Sequence, residues 1–424
     1  MTPAVITLII LAVAAVLFIT EIIPLAVTAM AVAVTLALTG VLTVSEAFAG
    51  LTNENVILFA GMFVVGAGLF ETGVAKSIGD TVTRFAKTET MLITGIMIIS
   101  AVLSSFLSNT GTAAVLMPVV ISIAASAGYS RSRLLMPLAF AAGLGGINTL
   151  IGTPPNLIVK GALETAGLGT FGFFEYAVIG IPLTVAGIIY MCTIGKKLVP
   201  DRGVNKKKVA QAASAEGVTK EASKSKQLIA VFVLIGTVLV MIFTKQLGIS
   251  LHIAAIIGAL VLVITGVLNE KQVYKSIDWT TIFLFAGMLP LADAMVKTGA
   301  GQMIADLIIG LIGTDASPYV LTGGLFLLSS GLTQVMSNTA STTLLAPIGI
   351  AIAQGLGADP KAVLMAIAVA ASCAFATPVG TPPNTLVLGP GNFRFIDYIK
   401  VGLPLIVICF IISVIILPLA WPFY

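Results

Sequence analysis

Two short polar motifs each occur twice in a chain that is otherwise strongly apolar. Ser108-Asn109-Thr110 returns as Ser337-Asn338-Thr339, and Gly152-Thr153-Pro154-Pro155-Asn156 returns as Gly380-Thr381-Pro382-Pro383-Asn384. Serine, asparagine and threonine favour helix caps and turns, and proline lacks an N–H and clashes with the preceding helical turn. Both motifs therefore predict interrupted helices, with a new helix starting just after Thr110 in the first Ser-Asn-Thr motif.

The interrupted helices predict a site built from uncharged polar groups. Free N–H groups at a helix start favour anions, whereas hydroxyl, amide and carbonyl oxygens suit a monovalent cation such as sodium. No arginine or lysine lies within either motif. An anion bound there would need helix ends, hydroxyls, amides and bound cations to offset its charge, so the motifs predict an anion coupled to cations.

The elements that carry the motifs are predicted to be membrane-spanning helices. Hydrophobic residues form 58% of the 424-residue chain, charged residues only 9%, and the mean hydropathy is +1.10. Apolar stretches of spanning length, about 20 residues, occur at 3–20, 25–43, 54–72, 134–151, 174–195, 227–243, 251–268, 279–296, 362–379 and 401–420. This composition predicts an all-α polytopic membrane protein. The first stretch is interpreted as a span and not a signal peptide, because it lacks a basic flank and a cleavage site.

The chain is also internally duplicated. Residues 58–62 recur as 284–288 and residues 39–42 recur as 265–268, both 226 residues later, and the polar motifs recur at offsets of 229 and 228. This constant order indicates two sequence-similar halves. Segment 89–126 is either two crossings or one re-entrant hairpin. In both cases each half crosses the membrane an odd number of times, so the second half is inverted relative to the first.

Basic residues predict the orientation. The lysine-rich run 196–226 is expected to be a cytoplasmic loop under the positive-inside rule, and it lacks the aromatic residues that nucleic-acid binding would need. With this loop inside, both chain termini lie outside. Of the 22 basic residues, the four that then fall outside are Lys160, Lys245, Lys297 and Lys361. An amphipathic stretch with an apolar face of Val74, Ile78, Val82 and Phe85 predicts a helix along the membrane surface.

The paired motifs and their spacing resemble the divalent anion:sodium symporter family, which includes sodium-coupled dicarboxylate, citrate and sulfate carriers. The resemblance covers the whole chain. It implies two inverted repeats, each with five transmembrane helices and one re-entrant hairpin, the hairpins lying at 89–126 and roughly 314–354. It also implies a homodimer that works as an elevator, and we expect it in the inner membrane of a bacterial or archaeal cell.

The elevator analogy divides the chain into a fixed scaffold and a moving transport part. Residues 1–88 and 227–313 would form the scaffold, residues 89–200 and 314–424 the transport part, and residues 201–226 a cytoplasmic linker. Surface helices at about 73–88 and 297–310 would join the two parts. The implied activity is symport of a small divalent anion with sodium ions at two sites. A dicarboxylate is the first expectation, then citrate or sulfate.

The resemblance implies individual site residues as well. The first sodium site would comprise Ser104, Ser108, Asn109 and backbone near Gly152. The second would comprise Thr333, backbone of Met336, Asn338 and backbone near Gly380. The residues expected to contact the anion are Asn109, Thr110, Asn338 and Thr339, with Thr153 and Thr381 close by.

Several other functions are weighed against this one. A sodium-independent exchanger or a proton-coupled carrier could use the same hydroxyls and amides. A sodium/proton antiporter or arsenite effluxer of the same superfamily would need an ionisable group in the membrane. Asp293 with Lys297 is the main candidate, and a structural ion pair explains it better. Duplicated broken helices disfavour a channel, because they describe a bounded site and not a continuous pore.

An intramembrane enzyme and a metal site are both disfavoured. The spans contain no Ser/His, Cys/His or paired-carboxylate set that could carry out catalysis. The single histidine, His252, rules out a histidine-rich metal site. The three cysteines, Cys192, Cys373 and Cys409, have no metal-ligand spacing and are predicted to be small buried residues.

Overall fold

The computed structural model describes residues 2–74, 88–202, 223–304, 306 and 317–424, and all regular secondary structure in these ranges is helical. The helices of seven residues or more are α1 (Pro3–Thr20), α2 (Leu25–Leu38), α3 (Glu54–Thr72), α4 (Glu89–Ser104), α5 (Asn109–Ala127), α6 (Arg131–Gly146), α7 (Pro154–Thr165), α8 (Ala177–Tyr190), α9 (Lys224–Ile242), α10 (Leu251–Ile264), α11 (Glu270–Ser276), α12 (Trp279–Thr298), α13 (Pro318–Thr333), α14 (Asn338–Leu356), α15 (Pro360–Ala371), α16 (Pro382–Leu388) and α17 (Phe395–Ala420). Shorter helical segments are Val44–Ala47, Ala49–Thr52, Met191–Gly195, Lys196–Leu198 and Thr244–Leu247.

The helix order repeats as the sequence predicts. Helices α1, α2 and α3 correspond to α9, α10 and α12, the pair α4 and α5 corresponds to α13 and α14, and α6 to α8 correspond to α15 to α17. One short segment also has a counterpart, because Val44–Ala47 and α11 each follow the second helix of their repeat and begin with a capping box. The predicted all-helical, duplicated fold is confirmed.

Each hairpin turns at a serine cap. Helix α4 ends at Ser104 and α5 begins at Asn109, where Ser108 Oγ accepts a hydrogen bond from Gly111 N at 3.1 Å. In the second hairpin Ser337 Oγ accepts from Ala340 N, also at 3.1 Å. The serine satisfies one of the free N–H groups of the helix start. Helix α5 therefore begins before Thr110 and not after it as predicted, because the serine is the cap.

The Gly-Thr-Pro-Pro-Asn motifs break one helix in each repeat. Helix α6 ends at Gly146 and α7 begins at Pro154, while α15 ends at Ala371 and α16 begins at Pro382. The prolines occupy the first turn of the second helix, where a missing N–H costs no helical hydrogen bond. The unwound segments therefore lie before the prolines, at residues 147–153 and 372–381.

The first halves of the two broken helices lie at the centre of the core. Every residue of α6 from Leu134 to Gly146 is buried, and so is every residue of α15 from Ala362 to Ala371. Helix α6 approaches α4 closely at Gly145, where a Cβ atom would stand 2.4 Å from the backbone oxygen of Ala101. The hairpin and the broken helix are thus packed as one unit in this repeat.

Seven of the described helices are long and apolar enough to cross a membrane. They are α1, α3, α8 with its extension to Leu198, α9, α12, α14 and α17. Shorter apolar helices are α2, α4, α5, α10 and α15. By its length and composition, α14 counts among these seven helices, although it is the second helix of the hairpin formed by α13 and α14.

Ion pairs between elements join residues that the sequence assigns to the same side of the membrane. On the predicted inner side, Arg133 pairs with Glu89 at 3.2 Å. On the predicted outer side, Lys297 Nζ lies 2.8 Å from Glu46 Oε1 and 2.9 Å from Asp293 Oδ2. Asp293 and Lys297 therefore form a structural ion pair, as expected, away from the polar motifs.

Some predicted features lie partly outside the described residues. Residues 75–87 of the first predicted surface helix, 305 and 307–310 of the second, and 203–222 of the linker are outside the described ranges.

Candidate functional site

One cavity of about 560 Å³ is lined by all four polar motifs. The wall includes Ser108, Asn109, Thr110, Thr153, Pro154, Ser337, Asn338, Thr339, Thr381 and Pro382 of the motifs, and the adjoining Gly111. The six residues predicted to contact an anion are all among them. Other lining residues come from the predicted scaffold, with Met62, Phe63, Gly66, Ala67 and Phe70 from α3 and Thr280, Thr281 and Leu284 from α12.

The charged residues that line the cavity lie outside the four motifs. Glu71, Lys275 and Asp278 line it at the ends of α3, α11 and α12, on the side predicted to be cytoplasmic, and all three are exposed. Gln272 Nε2 donates to Glu71 Oε2 at 2.6 Å, and Asp278 caps α12 by accepting from Thr281 N at 3.2 Å. The part of the wall that the motifs form thus contains no charged side chain, as the sequence predicts.

Asn109 stands at the centre of a first oxygen cluster, formed with Ser104, Ala142 and Gly152. Its Oδ1 lies 2.7 Å from Ser104 Oγ and 3.1 Å from the carbonyl oxygens of both Ala142 and Gly152. Ser104 Oγ is also 2.7 Å from the oxygen of Ala142. Ser104 is fully buried and Asn109 is 7% exposed. A single hydroxyl hydrogen serves these four oxygens, so most contacts in the cluster join two acceptors.

Asn338 stands at the centre of the equivalent second oxygen cluster, formed with Thr333, Ala371 and Gly380. Its Oδ1 lies 2.7 Å from Thr333 Oγ1, 3.2 Å from the oxygen of Ala371 and 2.9 Å from the oxygen of Gly380. Thr333 Oγ1 is 2.9 Å from the oxygen of Ala371. The same four kinds of oxygen therefore meet twice, related by the internal duplication.

Acceptor oxygens in contact repel each other unless a hydrogen or a cation lies between them. Rotating each asparagine amide by 180° would place nitrogen donors on the carbonyls. With the oxygen turned inward, a sodium ion held by the four oxygens would offset their repulsion once they move apart enough to surround it. Each donor set fits sodium, since it contains neutral oxygens only. No group of three or more His, Cys, Asp or Glu side chains suited to another metal occurs in the described ranges.

Two other predicted sodium ligands, Ser108 and the backbone of Met336, are not among the contacts that form the two clusters. Ser108 Oγ is engaged as the cap of α5, and Met336 is buried next to the Ser337 cap of α14.

Gly152 and Gly380 must be glycines. A Cβ at either position would stand 2.5 Å from a backbone oxygen, that of Gly146 or of Thr333. The missing side chains let each unwound segment lie directly against its hairpin or helix end.

Sequence reasoning missed the carbonyls of Ala142 and Ala371. Each accepts from the hydroxyl 38 residues earlier, Ser104 or Thr333. A backbone oxygen leaves no signal in residue type. The repeat comparison could have found them, because both are alanines and they stand 229 residues apart, the offset of the Ser-Asn-Thr motifs.

The fold has counterparts among solved structures. It is similar to the YdaH transporter of Alcanivorax borkumensis, with a TM-score of 0.63, 16% identity, and 90% of this chain and 87% of that chain covered. It is also similar to Neisseria gonorrhoeae MtrF, with a TM-score of 0.61, 15% identity, and coverage of 91% and 83%. These likenesses concern the fold.

Several sequence relatives are named as transporters, and they match more than nine-tenths of this chain. An uncharacterized transporter of Haemophilus influenzae is 30% identical over 95% of this chain and 88% of its own. The Escherichia coli uncharacterized transporter YfbS is 28% identical over 97% of this chain and 98% of its own. The sodium-dependent dicarboxylate transporter SdcS of Staphylococcus saprophyticus is 27% identical over 91% and 80%.

A family assignment follows from these similarities. Residues 15–362 match the citrate transporter family CitMHS, which is more than half of the chain. The family and the relatives are transporters, in agreement with the absence of a catalytic set from the sequence. The chain therefore belongs to the citrate transporter family and is a transporter, not an enzyme.

Proposed function

We propose that this protein is a secondary active transporter that moves a small divalent anion together with sodium ions. The observation that carries the proposal is the pair of oxygen clusters around Asn109 and Asn338 on the wall of one cavity. Each cluster brings an asparagine amide against two carbonyls and a hydroxyl, with no carboxylate. With the amide oxygen turned inward, the set consists of four neutral oxygens. Sodium is the cation that such a neutral oxygen set suits best.

Two sodium ions also explain how an anion could be held against motifs that contain no basic residue. Two monovalent cations offset the charge of a dianion, and the N-termini of α5 and α14 add N–H groups at the same wall. Thr110, Thr339, Thr153 and Thr381 supply hydroxyls on this wall. A dicarboxylate is the proposed substrate, before citrate or sulfate, and the similarity to SdcS supports this order.

We extend the proposal to an elevator mechanism in a homodimer of the inner membrane. The cavity lies between residues of the proposed scaffold, 1–88 and 227–313, and those of the proposed transport part, 89–200 and 314–424. Both oxygen clusters belong wholly to the transport part, so they would travel as a unit. The cavity is charged and exposed on the side of Glu71 and Lys275. This side would be cytoplasmic, with both termini outside.

Uptake into proteoliposomes tests the coupling. Radiolabelled succinate, citrate and sulfate would each be offered with an inward sodium gradient, and with choline replacing sodium at equal osmolarity. We expect sodium-dependent uptake of the dicarboxylate. Equal uptake in sodium and choline would reject sodium coupling. If anion-loaded vesicles then exchange label in choline, the protein is a sodium-independent exchanger.

A binding screen tests substrate choice separately from transport. The detergent-solubilised protein would be heated with each anion in sodium or in choline, and its unfolding temperature recorded. Binding to the native state alone raises this temperature by mass action. We expect stabilisation by a dicarboxylate only when sodium is present. A larger rise in unfolding temperature with citrate or sulfate would identify that anion, and not a dicarboxylate, as the substrate.

A further inference from the structure

A buried tyrosine hydroxyl holds each broken helix just beyond its prolines. Tyr176 Oη donates to the backbone oxygen of Asn156 at 2.9 Å, and Tyr398 Oη donates to the backbone oxygen of Asn384 at 2.7 Å. Both tyrosines are fully buried. The two asparagines occupy the third position of α7 and of α16, so each tyrosine fixes a first helical turn.

The side chains of the same asparagines hold the unwound segments. Asn156 Nδ2 donates to the carbonyls of Thr149 and Gly146, at 2.8 and 3.4 Å. Asn384 Nδ2 donates to the carbonyls of Thr377 and Ala374, at 2.9 and 2.8 Å. Each asparagine thus joins the start of a short helix to the loop that precedes it.

The hydroxyls of the loop threonines complete the connection to the hairpins. Thr149 Oγ1 donates to the backbone oxygen of Ser105, and Thr377 Oγ1 donates to that of Gln334 at 2.8 Å. Ser105 and Gln334 directly follow Ser104 and Thr333, the hydroxyl members of the two oxygen clusters. A chain of hydrogen bonds therefore runs from each tyrosine to the edge of an oxygen cluster.

We propose that Tyr176 and Tyr398 are positioning residues for the two sodium sites. They touch neither cation nor anion. Each sets the start of its broken helix, and through the asparagine it sets the loop that presents the carbonyl of Gly152 or Gly380 to the cluster. This inference rests on the proposed function, since it concerns the sodium affinity of the same clusters. Outer partners of this kind commonly tune metal affinity without contacting the metal.

The two tyrosines differ in how much their helices depend on them. Helix α7 has twelve residues, whereas α16 has only seven. A short helix has few hydrogen bonds of its own, so external bonds contribute a larger share of its order. Loss of the Tyr398 hydroxyl should therefore disturb its site more than loss of the Tyr176 hydroxyl.

The test compares Tyr176→Phe and Tyr398→Phe with a matched control, Tyr190→Phe. Tyr190 Oη also donates to a backbone oxygen, that of Val401 at 2.7 Å, and is buried at the end of α8. In proteoliposomes, the two site variants should raise the half-saturating sodium concentration up to about tenfold. Their maximal rate at saturating sodium should stay close to that of the wild type, and Tyr190→Phe should leave the half-saturating concentration unchanged.

Hydrogen exchange supplies a measurement that does not depend on sodium coupling. Tyr176→Phe should increase exchange in residues 147–156, and Tyr398→Phe in 375–384, each within its own repeat. Unchanged exchange in these segments would overturn the positioning role. So would a loss of sodium affinity in Tyr190→Phe as large as the loss in the two site variants. If the wild type transports without sodium, the proposed function fails, and the exchange data still decide whether the tyrosines position the broken helices.

Discussion

Gly146 lies against the side chain of Asn109 so closely that a Cβ atom at position 146 would stand 2.3 Å from Asn109 Oδ1. The corresponding residue of the second repeat, 228 positions later, is Ala374. The two oxygen clusters are therefore alike in their ligands but unequal in their surroundings. The first cluster depends on a missing side chain where the second does not.

This inequality predicts that Gly146→Ala damages the first cluster selectively. The new methyl group would push the Asn109 amide away from the carbonyls of Ala142 and Gly152. We expect the half-saturating sodium concentration for uptake to rise about tenfold or more. The measurement is sodium-dependent uptake over a range of sodium concentrations in proteoliposomes.

Gly324→Ala is the matched control for this substitution. Gly324 lies in α13, and a Cβ atom there would meet nothing within 4 Å. The Gly324→Ala variant should therefore transport like the wild type, with the same half-saturating sodium concentration. Normal sodium dependence in Gly146→Ala would show that the Asn109 amide does not need its observed position.

Asn109→Asp separates a cation site from a cluster of ordinary hydrogen bonds. A carboxylate keeps an oxygen at the amide position and adds a negative charge, so a site that holds sodium should bind it at least as tightly. The same charge should repel the anion and reduce uptake severely. Sodium binding is read from the sodium-induced rise in unfolding temperature of the solubilised protein.

Asn109→Leu is the counterpart in this experiment. It removes both amide atoms at similar size and should lose the sodium-induced stabilisation as well as uptake. If the amide instead donates hydrogen bonds to the carbonyls, Asn109→Asp would place a bare anion against them. The variant would then be destabilised, and added sodium would not restore it.

The convergence of the four motifs could be predicted because their residue types carry the signal. Serine caps, paired prolines and glycines mark helix ends in any context, and their duplication shows which ends belong together. The duplicated Ser-Asn-Thr motifs contain Asn109 and Asn338, whose individual roles the family resemblance implies. The fold class followed from apolar runs whose lengths match a bilayer.

Other parts of the site leave no such signal. The carbonyls of Ala142 and Ala371 are backbone atoms, and any residue could supply them. Tyr176 follows its asparagine by 20 residues and Tyr398 by only 14, so comparison of the repeats does not align them. The neighbours of a buried side chain are set by tertiary packing, which a local pattern does not encode.

A buried polar contact joins α3 of the proposed scaffold to α7 of the proposed transport part. Lys160 is 7% exposed, and its Nζ donates to Asn55 Oδ1 at 2.9 Å and pairs with Glu164 Oε1 at 2.5 Å. Asn55 Nδ2 donates to Glu164 Oε2 at 2.9 Å. If the transport part moves as an elevator, both bonds to Asn55 must break, while the Lys160–Glu164 pair travels intact.

Asn55→Ala should therefore shift the protein away from the state in which the cavity is exposed on the side of Glu71. Loss of one or two buried hydrogen bonds, about 1 kcal/mol each, would change the ratio of the two states about fivefold or more. The reporter is Thr110→Cys in a background without the native cysteines. Its labelling by a membrane-impermeant thiol reagent from the Glu71 side should slow in Asn55→Ala.

Thr170→Ala is the control for the contact at Asn55. Thr170 Oγ1 donates to the same carboxylate, Glu164, at 2.6 Å, but both residues belong to the proposed transport part. Its removal should leave the labelling rate of Thr110→Cys unchanged. Equal labelling in Asn55→Ala and its parent would mean that this contact does not bias the two states.

Glu175 gives the protein a stabilising interaction that depends on pH. It lies in the segment between α7 and α8, where burial raises its pKa. Hydrogen bonds from Gly172 N, Lys361 and Trp421 outweigh burial and hold the pKa of the Glu175 carboxyl below its ordinary value. A carboxyl whose pKa is lower in the folded state stabilises the fold above its unfolded pKa, and this contribution is lost as the pH falls through the folded value.

Glu175→Gln should therefore lower the unfolding temperature by a few degrees at neutral pH and by progressively less below about pH 4.5. Lys361→Met, which removes a partner whose Nζ lies 2.7 Å from Glu175 Oε1, should show the same pH dependence. At neutral pH the double variant should lose less unfolding temperature than the two single variants lose together, because both substitutions remove one shared interaction. The measurement is thermal unfolding of the solubilised protein from neutral pH downward. A difference between Glu175→Gln and the wild type that stays constant across this range would show that the carboxylate charge does not contribute, and that only its shape and hydrogen bonds matter.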